Sequence, residues 1–285
     1  MRWKGGRRST NVEDRRGRSV GGIAAGGGTA LIVLLVALIF GVDPSDVADV
    51  VEGEAEPEQQ QLPNRTGTDS QDTNADFARV MKGSLEDVWS GIFAQEGARY
   101  EPATLVLYEQ MVRSACGTSS SATGPFYCPG DGGMYLDLSF LRQLKQLGAP
   151  GDFAFAYVIA HEEGHHIQRL SGTEQQVRQL QRQVSPRDGN ALSVQMELQA
   201  DCYAGVWAYH VNQRSGEVAL EPGDVEEGLR AAAAIGDDRL QEMAGETVQP
   251  ESFTHGSSEQ RTEWLLAGLQ TGDPDACNTF EDSGL

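Results

Sequence analysis

Basic side chains are scarce in this chain, and long apolar runs are scarcer. Its 285 residues carry 22 lysines and arginines against 42 aspartates and glutamates, a formal net charge of −20. A body that acidic repels phosphate backbones, which argues against a nucleic-acid partner. Histidine stops at five residues and cysteine at four, none of the latter in C-x-x-C spacing, so a zinc site built from cysteines is not expected. No internal repeat is evident. The length suits one or two domains with a core that needs no special support.

The few basic groups are unevenly placed. Residues 1–18 hold seven of them (Arg2, Lys4, Arg7, Arg8, Arg15, Arg16 and Arg18) beside Glu13 and Asp14, leaving 15 basic and 40 acidic side chains for the rest. The one long apolar run follows, IAAGGGTALIVLLVALIFGV from Ile23 to Val42, with no charged residue. As a helix its 20 residues would reach ~30 Å, the thickness of a bilayer core. Its strongly apolar part, Ala30 to Phe40, is shorter, so a cleaved signal peptide competes with an anchor, but GVDPSDVADV offers no convincing small-x-small cleavage site. Basic residues ahead of the run favour a cytoplasmic N-terminus and an exported body. The sequence therefore predicts a basic cytoplasmic segment 1–22, a single-pass signal anchor 23–42, a flexible acidic linker 43–73 and a folded body 74–285 outside the cytoplasm.

Glu52 to Thr73 has no aromatic residue and is dense in Glu, Gln, Pro and Thr, a composition that cannot bury enough apolar area to fold. The body begins with DFARVMKGSLEDVWSGIFA, whose Phe77, Val80, Met81, Leu85, Val88, Trp89 and Ile92 recur at helical intervals. ATLVLY and GMYLDLSF then read as strands. From Leu141 onward the pattern is helical, over 153–170, 174–184, 192–212, 224–241 and 257–269. A short sheet followed by a helical bundle is an α+β fold. Four cysteines fit an oxidising compartment, and their spacing allows three pairings; Cys116–Cys128 would close the small loop GTSSSATGPFY and Cys202–Cys277 would staple the C-terminal tail to a central helix.

Three of the five histidines fall in AYVIAHEEGHHIQRL, where His161, Glu162 and His165 form H-E-x-x-H. Positions i and i+4 share a helix face, so both imidazoles can converge on one ion, and zinc accepts neutral imidazole and carboxylate ligands. Glu162 is about 100° further round and can reach a water beside the ion. A metzincin site would need glycine at 168 and histidine at 171, where Gln168 and Ser171 stand. Downstream, VQMELQADCYAGVWAY carries Glu197 and Asp201, again at i, i+4, beside Ala200, Ala204 and Ala208. This is the gluzincin spacing, with Glu197 as third ligand and Asp201 holding the other ring nitrogen of His161.

Taken together, RWKGGRRSTNVEDRRG, the single apolar run, CG…GPFYCPGD, YLDLSFL, VIAHEEGHHIQ, ELQADCYAGVWA and FTHGSSEQR resemble the neutral zinc metallopeptidase family of bacterial membrane-anchored proteins. The resemblance covers nearly the whole chain except the linker. It implies a mostly helical zincin-like domain, one zinc held by His161, His165 and Glu197, and Glu162 as catalytic base. Glu163 stands where such sequences often carry an apolar residue, which points to an altered rim. His166 points away from the ion and reads as structural or rim, and His210 as surface. His255 is a candidate donor to a developing oxyanion, and Tyr135 a weaker one whose strand would offer a backbone edge to an extended peptide. The expected partners are a peptide or protein substrate and the membrane. Two other functions stay open on sequence alone: a non-catalytic zinc-containing envelope module, and zinc-dependent hydrolysis of a non-peptide amide.

Overall fold

The computed structural model describes residues 1–17, 72–120, 123–213 and 216–281. The expected anchor, 23–42, and linker, 43–73 all but its last two residues, lie outside these. No helix among the described residues is long and apolar enough to cross a membrane.

The first element is a surprise: β1 (Val12–Asp14) is a strand of the body's own sheet. Then come α1 (Thr73–Gln95), β2 (Thr104–Tyr108), a hairpin of β3 (Met111–Ser114) and β4 (Gly117–Ser120), β5 (Phe126–Cys128) and β6 (Gly133–Asp137). The rest is helical: α2 (Phe140–Gln146), α3 (Asp152–Ser171), α4 (Thr173–Gln181), α5 (Pro186–Gln213), α6 (Asp224–Ala234), α7 (Asp237–Met243) and α8 (Ser258–Thr271). The fold is α+β, as its sequence pattern implies.

The main sheet runs β1-β2-β6-β5, with β1, β2 and β6 parallel and β5 antiparallel at one edge. On β2, Leu105 and Leu107 face the helices, while Val106 and Tyr108 join Val112, Cys128 and Tyr135 in a second cluster. Both faces are covered, which is why TLVLY reads as an unbroken apolar run. Tyr135 lies on β6, which is flanked on both sides, so its strand has no free edge; the edge on that side of the sheet is β5. The Cys116–Cys128 and Cys202–Cys277 disulfides are both present.

Residues 1–16 form one compact unit with the body, where a segment 1–22 separate from it was expected. Trp3 is buried, edge-on to Phe77 of α1. Arg7 pairs with Glu86 and Asp87, Arg8 with Asp76, and Arg16 with Asp14 and Asp72. Gly83 of α1 makes room for this arm, since a Cβ there would lie 2.2 Å from the Arg7 carbonyl oxygen. The basic residues that suggest membrane topology are instead partners of an acidic body.

The helical layer is built on α3 and α5, which cross at small residues. A Cβ on Gly164 would lie 2.8 Å from the Ala200 Cα, so the two helices touch backbone to backbone. The predicted helix 224–241 breaks after Ala234: Gly236 is extended (ψ 144°) and a new helix starts at Asp237, whose side chain accepts from the backbone N–H groups of Thr254, His255 and Gly256.

Candidate metal centre

The α3 helix is buried on nearly every face from Phe153 to Gly164, so each ionisable group on it must find a partner or a function. His161 and His165 lie one turn apart with their rings edge-on, 4.8 Å between centroids. Glu197 of α5 reaches across the small-residue crossing: its Oε2 is 3.1 Å from His161 Nε2 and its Oε1 is 3.4 Å from His165 Nε2. Ligand atoms of all three lie within 4.8 Å of one another. A second cluster with such spacing among the described residues, Asp152, Asp224 and Glu227, already faces the Met1 α-ammonium, 2.8 Å from Asp152 and 3.2 Å from Asp224.

The far side of each ring fixes which nitrogen is free. Gln168, fully buried, donates from Nε2 to the Met196 carbonyl at 2.6 Å, so its Oε1 must face His165 Nδ1, 2.9 Å away. An amide oxygen can only accept, hence His165 carries its proton on Nδ1. His161 Nδ1 likewise donates to Asp201 at 2.8 Å. Both Nε2 atoms therefore point at one spot beside the Glu197 carboxylate, where a bound ion would take the place of their protons. Two neutral imidazoles and a carboxylate are a donor set that fits zinc, and three protein ligands leave room for a fourth.

Asp201 is held in turn. It is fully buried and accepts from His161, the Tyr157 hydroxyl and both Arg261 Nε (2.9 Å) and Nη2 (3.0 Å). Arg261 Nη2 also donates to Tyr157 at 3.2 Å. Burial alone would raise the Asp201 pKa, but Arg261 and His161 outweigh it and hold the carboxyl below its ordinary value. Asp201→Asn should weaken zinc binding roughly 10- to 100-fold while the domain stays folded, since the amide can present a donor to His161. Competition with a chelator of known affinity measures this; an unchanged affinity would remove Asp201 from the site.

Glu162, nearly buried, opens onto a cleft of about 440 Å³ that also exposes His161, His165, Glu197, His255 and Arg261. Burial raises its pKa, and the Glu197 charge adds to this against the pull of the two histidines. His255 lies across the cleft with Nδ1 3.1 Å from Asp237 Oδ1, and that hydrogen bond raises its pKa. A larger cleft of about 790 Å³, lined by Arg169, Arg178 and Arg182, contains none of these groups.

Other expectations change. Glu163 is not on the rim: it is fully buried behind α3, 2.6 Å from Lys82 Nζ and hydrogen-bonded by the Tyr100 hydroxyl. His166 donates from Nε2 to the Glu101 carbonyl at 2.6 Å and accepts from Tyr127 at 3.1 Å, tying edge strand β5 to α3. Burial lowers its pKa, and it is a structural residue. His210 is half-buried and donates to the carbonyl of Gly272, at the end of α8. The Tyr135 hydroxyl is spent on Asp131 at 2.9 Å. Gln168, Tyr157, Asp237 and Arg261 had no role in the sequence reading; only Gln168, one turn from His165, gave a positional hint.

Residues 1–280 match the family described as "Putative neutral zinc metallopeptidase". The chain is 48% identical over 292 residues to uncharacterized protein YpfJ of Escherichia coli K12, covering 99% of this chain and 100% of that one. It is 39% identical over 272 residues to uncharacterized protein Rv2575 of Mycobacterium tuberculosis H37Rv, covering 87% and 86%. No solved structure matches. A match over almost the entire length, arm and metal helices together, means that this chain belongs to the neutral zinc metallopeptidase family.

Proposed function

We propose that the protein is a zinc-dependent peptidase, with His161, His165 and Glu197 as ligands to one ion and Glu162 as general base. The observation that carries this reading is the fixed orientation of both rings: each Nδ1–H is committed to an acceptor, and both Nε2 atoms converge on Glu197 beside an open cleft. Bound zinc would supply Lewis acidity, polarising a carbonyl and acidifying water. Glu162 takes the proton from the attacking water and passes it to the leaving amine, a task its raised pKa suits. His255, kept rich in protons by Asp237, donates to the developing oxyanion from across the cleft. β5, an edge strand among the described residues, offers backbone groups to an extended substrate, with Phe126 and Tyr127 also lining the cleft. Two disulfides support an oxidising compartment for the body.

The test is metal analysis of the purified full chain together with digestion of a peptide library. About one zinc per chain and cleavage are expected, given three ligands with an open position. Zinc without cleavage of any peptide would favour the non-catalytic or non-peptide readings.

Zinc binding should also depend on pH. In the metal-free protein burial opposes a charge on His161, but Asp201 and Glu197 outweigh it and raise its pKa to about 10. The His165 pKa is raised too, burial being outweighed by Glu197. The ion binds only neutral imidazole, so protons must leave on binding and acid must weaken it. Apparent affinity should fall about tenfold per pH unit for each proton displaced. Titrations in buffers of differing ionisation heat read the proton count; a pH-independent affinity would exclude these histidines as ligands.

A further inference from the structure

The amino-terminal arm and the catalytic body form one folded unit, and this restricts how the chain can meet a membrane. The arm is bound along its whole described length. Met1 faces Asp152 and Asp224, Arg2 bridges to Ala219, Trp3 is buried, Ser9 donates to Glu86 at 2.6 Å, and β1 pairs in parallel with β2 from Val12 to Asp14. At its end Arg16 pairs with Asp72, the N-cap residue of α1, so the chain departs from the body and rejoins it at one point.

Between those points the sequence has one run long enough to cross a bilayer, Ile23 to Val42. One crossing would put the arm and the body on opposite faces, which the shared sheet forbids. Two crossings would need a second such run, and Asp43, Asp46, Asp49, Glu52, Glu54, Glu56 and Glu58 interrupt the stretch that would have to supply it. The charge argument for a cytoplasmic N-terminus also loses its footing, since Arg7, Arg8 and Arg16 are neutralised by carboxylates of the body.

We propose that residues 1–16 and the catalytic body occupy the same side of the membrane, and that the chain joining them does not cross it once.

Single-cysteine reporters test this in the full chain, whose native cysteines are all paired. Lys4→Cys and Thr10→Cys put an exposed thiol on the arm, and Glu246→Cys puts one on the body. Each is treated with a membrane-impermeant maleimide in intact cells, in cells with a permeabilised outer layer and in inverted vesicles. The expected result is that arm and body thiols become reactive together in the same preparation, whichever it is. Labelling of the arm only from the face opposite the body would overturn the proposal. The outcome does not depend on peptidase activity, so it stands or falls separately from the proposed function.

Discussion

Glu162→Gln should keep its zinc and lose roughly 10²- to 10⁴-fold in turnover, the usual worth of a positioned general base. The side chain makes no contact that holds the three ligands: those are fixed by Gln168, Asp201 and the α3–α5 crossing. An amide of the same shape cannot accept the water proton, so chemistry fails while the metal site persists. Glu197→Ala should do the reverse, removing the carboxylate that both Nε2 atoms face and with it the metal. Steady-state rates and zinc content, measured on the same preparations, separate the two. A Glu162→Gln protein that still cleaves peptides within a few-fold of the parent would refute the mechanism, and full zinc in Glu197→Ala would refute the third ligand.

Lys82→Met should destabilise the fold by roughly 3–5 kcal/mol, because it leaves the Glu163 carboxylate buried with its counter-charge gone. Both side chains are fully buried, and Glu163 is held below its ordinary pKa because its ion pair with Lys82 outweighs the cost of burial. For a body of this size the loss corresponds to a melting temperature lower by roughly 6–20 °C. Lys82→Met combined with Glu163→Leu should recover most of it, since two apolar groups need no pairing. Thermal unfolding of Lys82→Met, Glu163→Leu and the double variant completes the cycle. A single substitution costing less than about 1 kcal/mol would mean that Glu163 takes up a proton or water instead.

What was legible in the sequence is what one helix can encode. His161 to His165 and Glu197 to Asp201 are each one turn apart, and the expected helix 153–170 is observed as Asp152–Ser171. What was not legible depends on partners far along the chain. Arg261 is 60 residues from Asp201, and Lys82 is 81 from Glu163. No local pattern says that a charge has a distant partner, so the arm's arginines read as topology signals and Glu163 as rim. Strand order is equally silent in sequence: β6 looked like the substrate edge because its apolar run is clear, whereas β5 is only three residues long. The β3–β4 hairpin escaped notice because GTSS lacks apolar alternation.

The close crossing of α3 and α5 changes how the motif itself is understood. In H-E-x-x-H the two intervening positions are written as blanks, as though anything could fill them. In this protein neither blank is empty of meaning. Position 164 must be small because the backbone of Ala200 passes where a side chain would begin. Position 163 is an acid because Lys82 waits for it behind the helix. The named letters say which chemistry is performed, and the blanks hold the address at which the neighbouring helices must dock for it to happen.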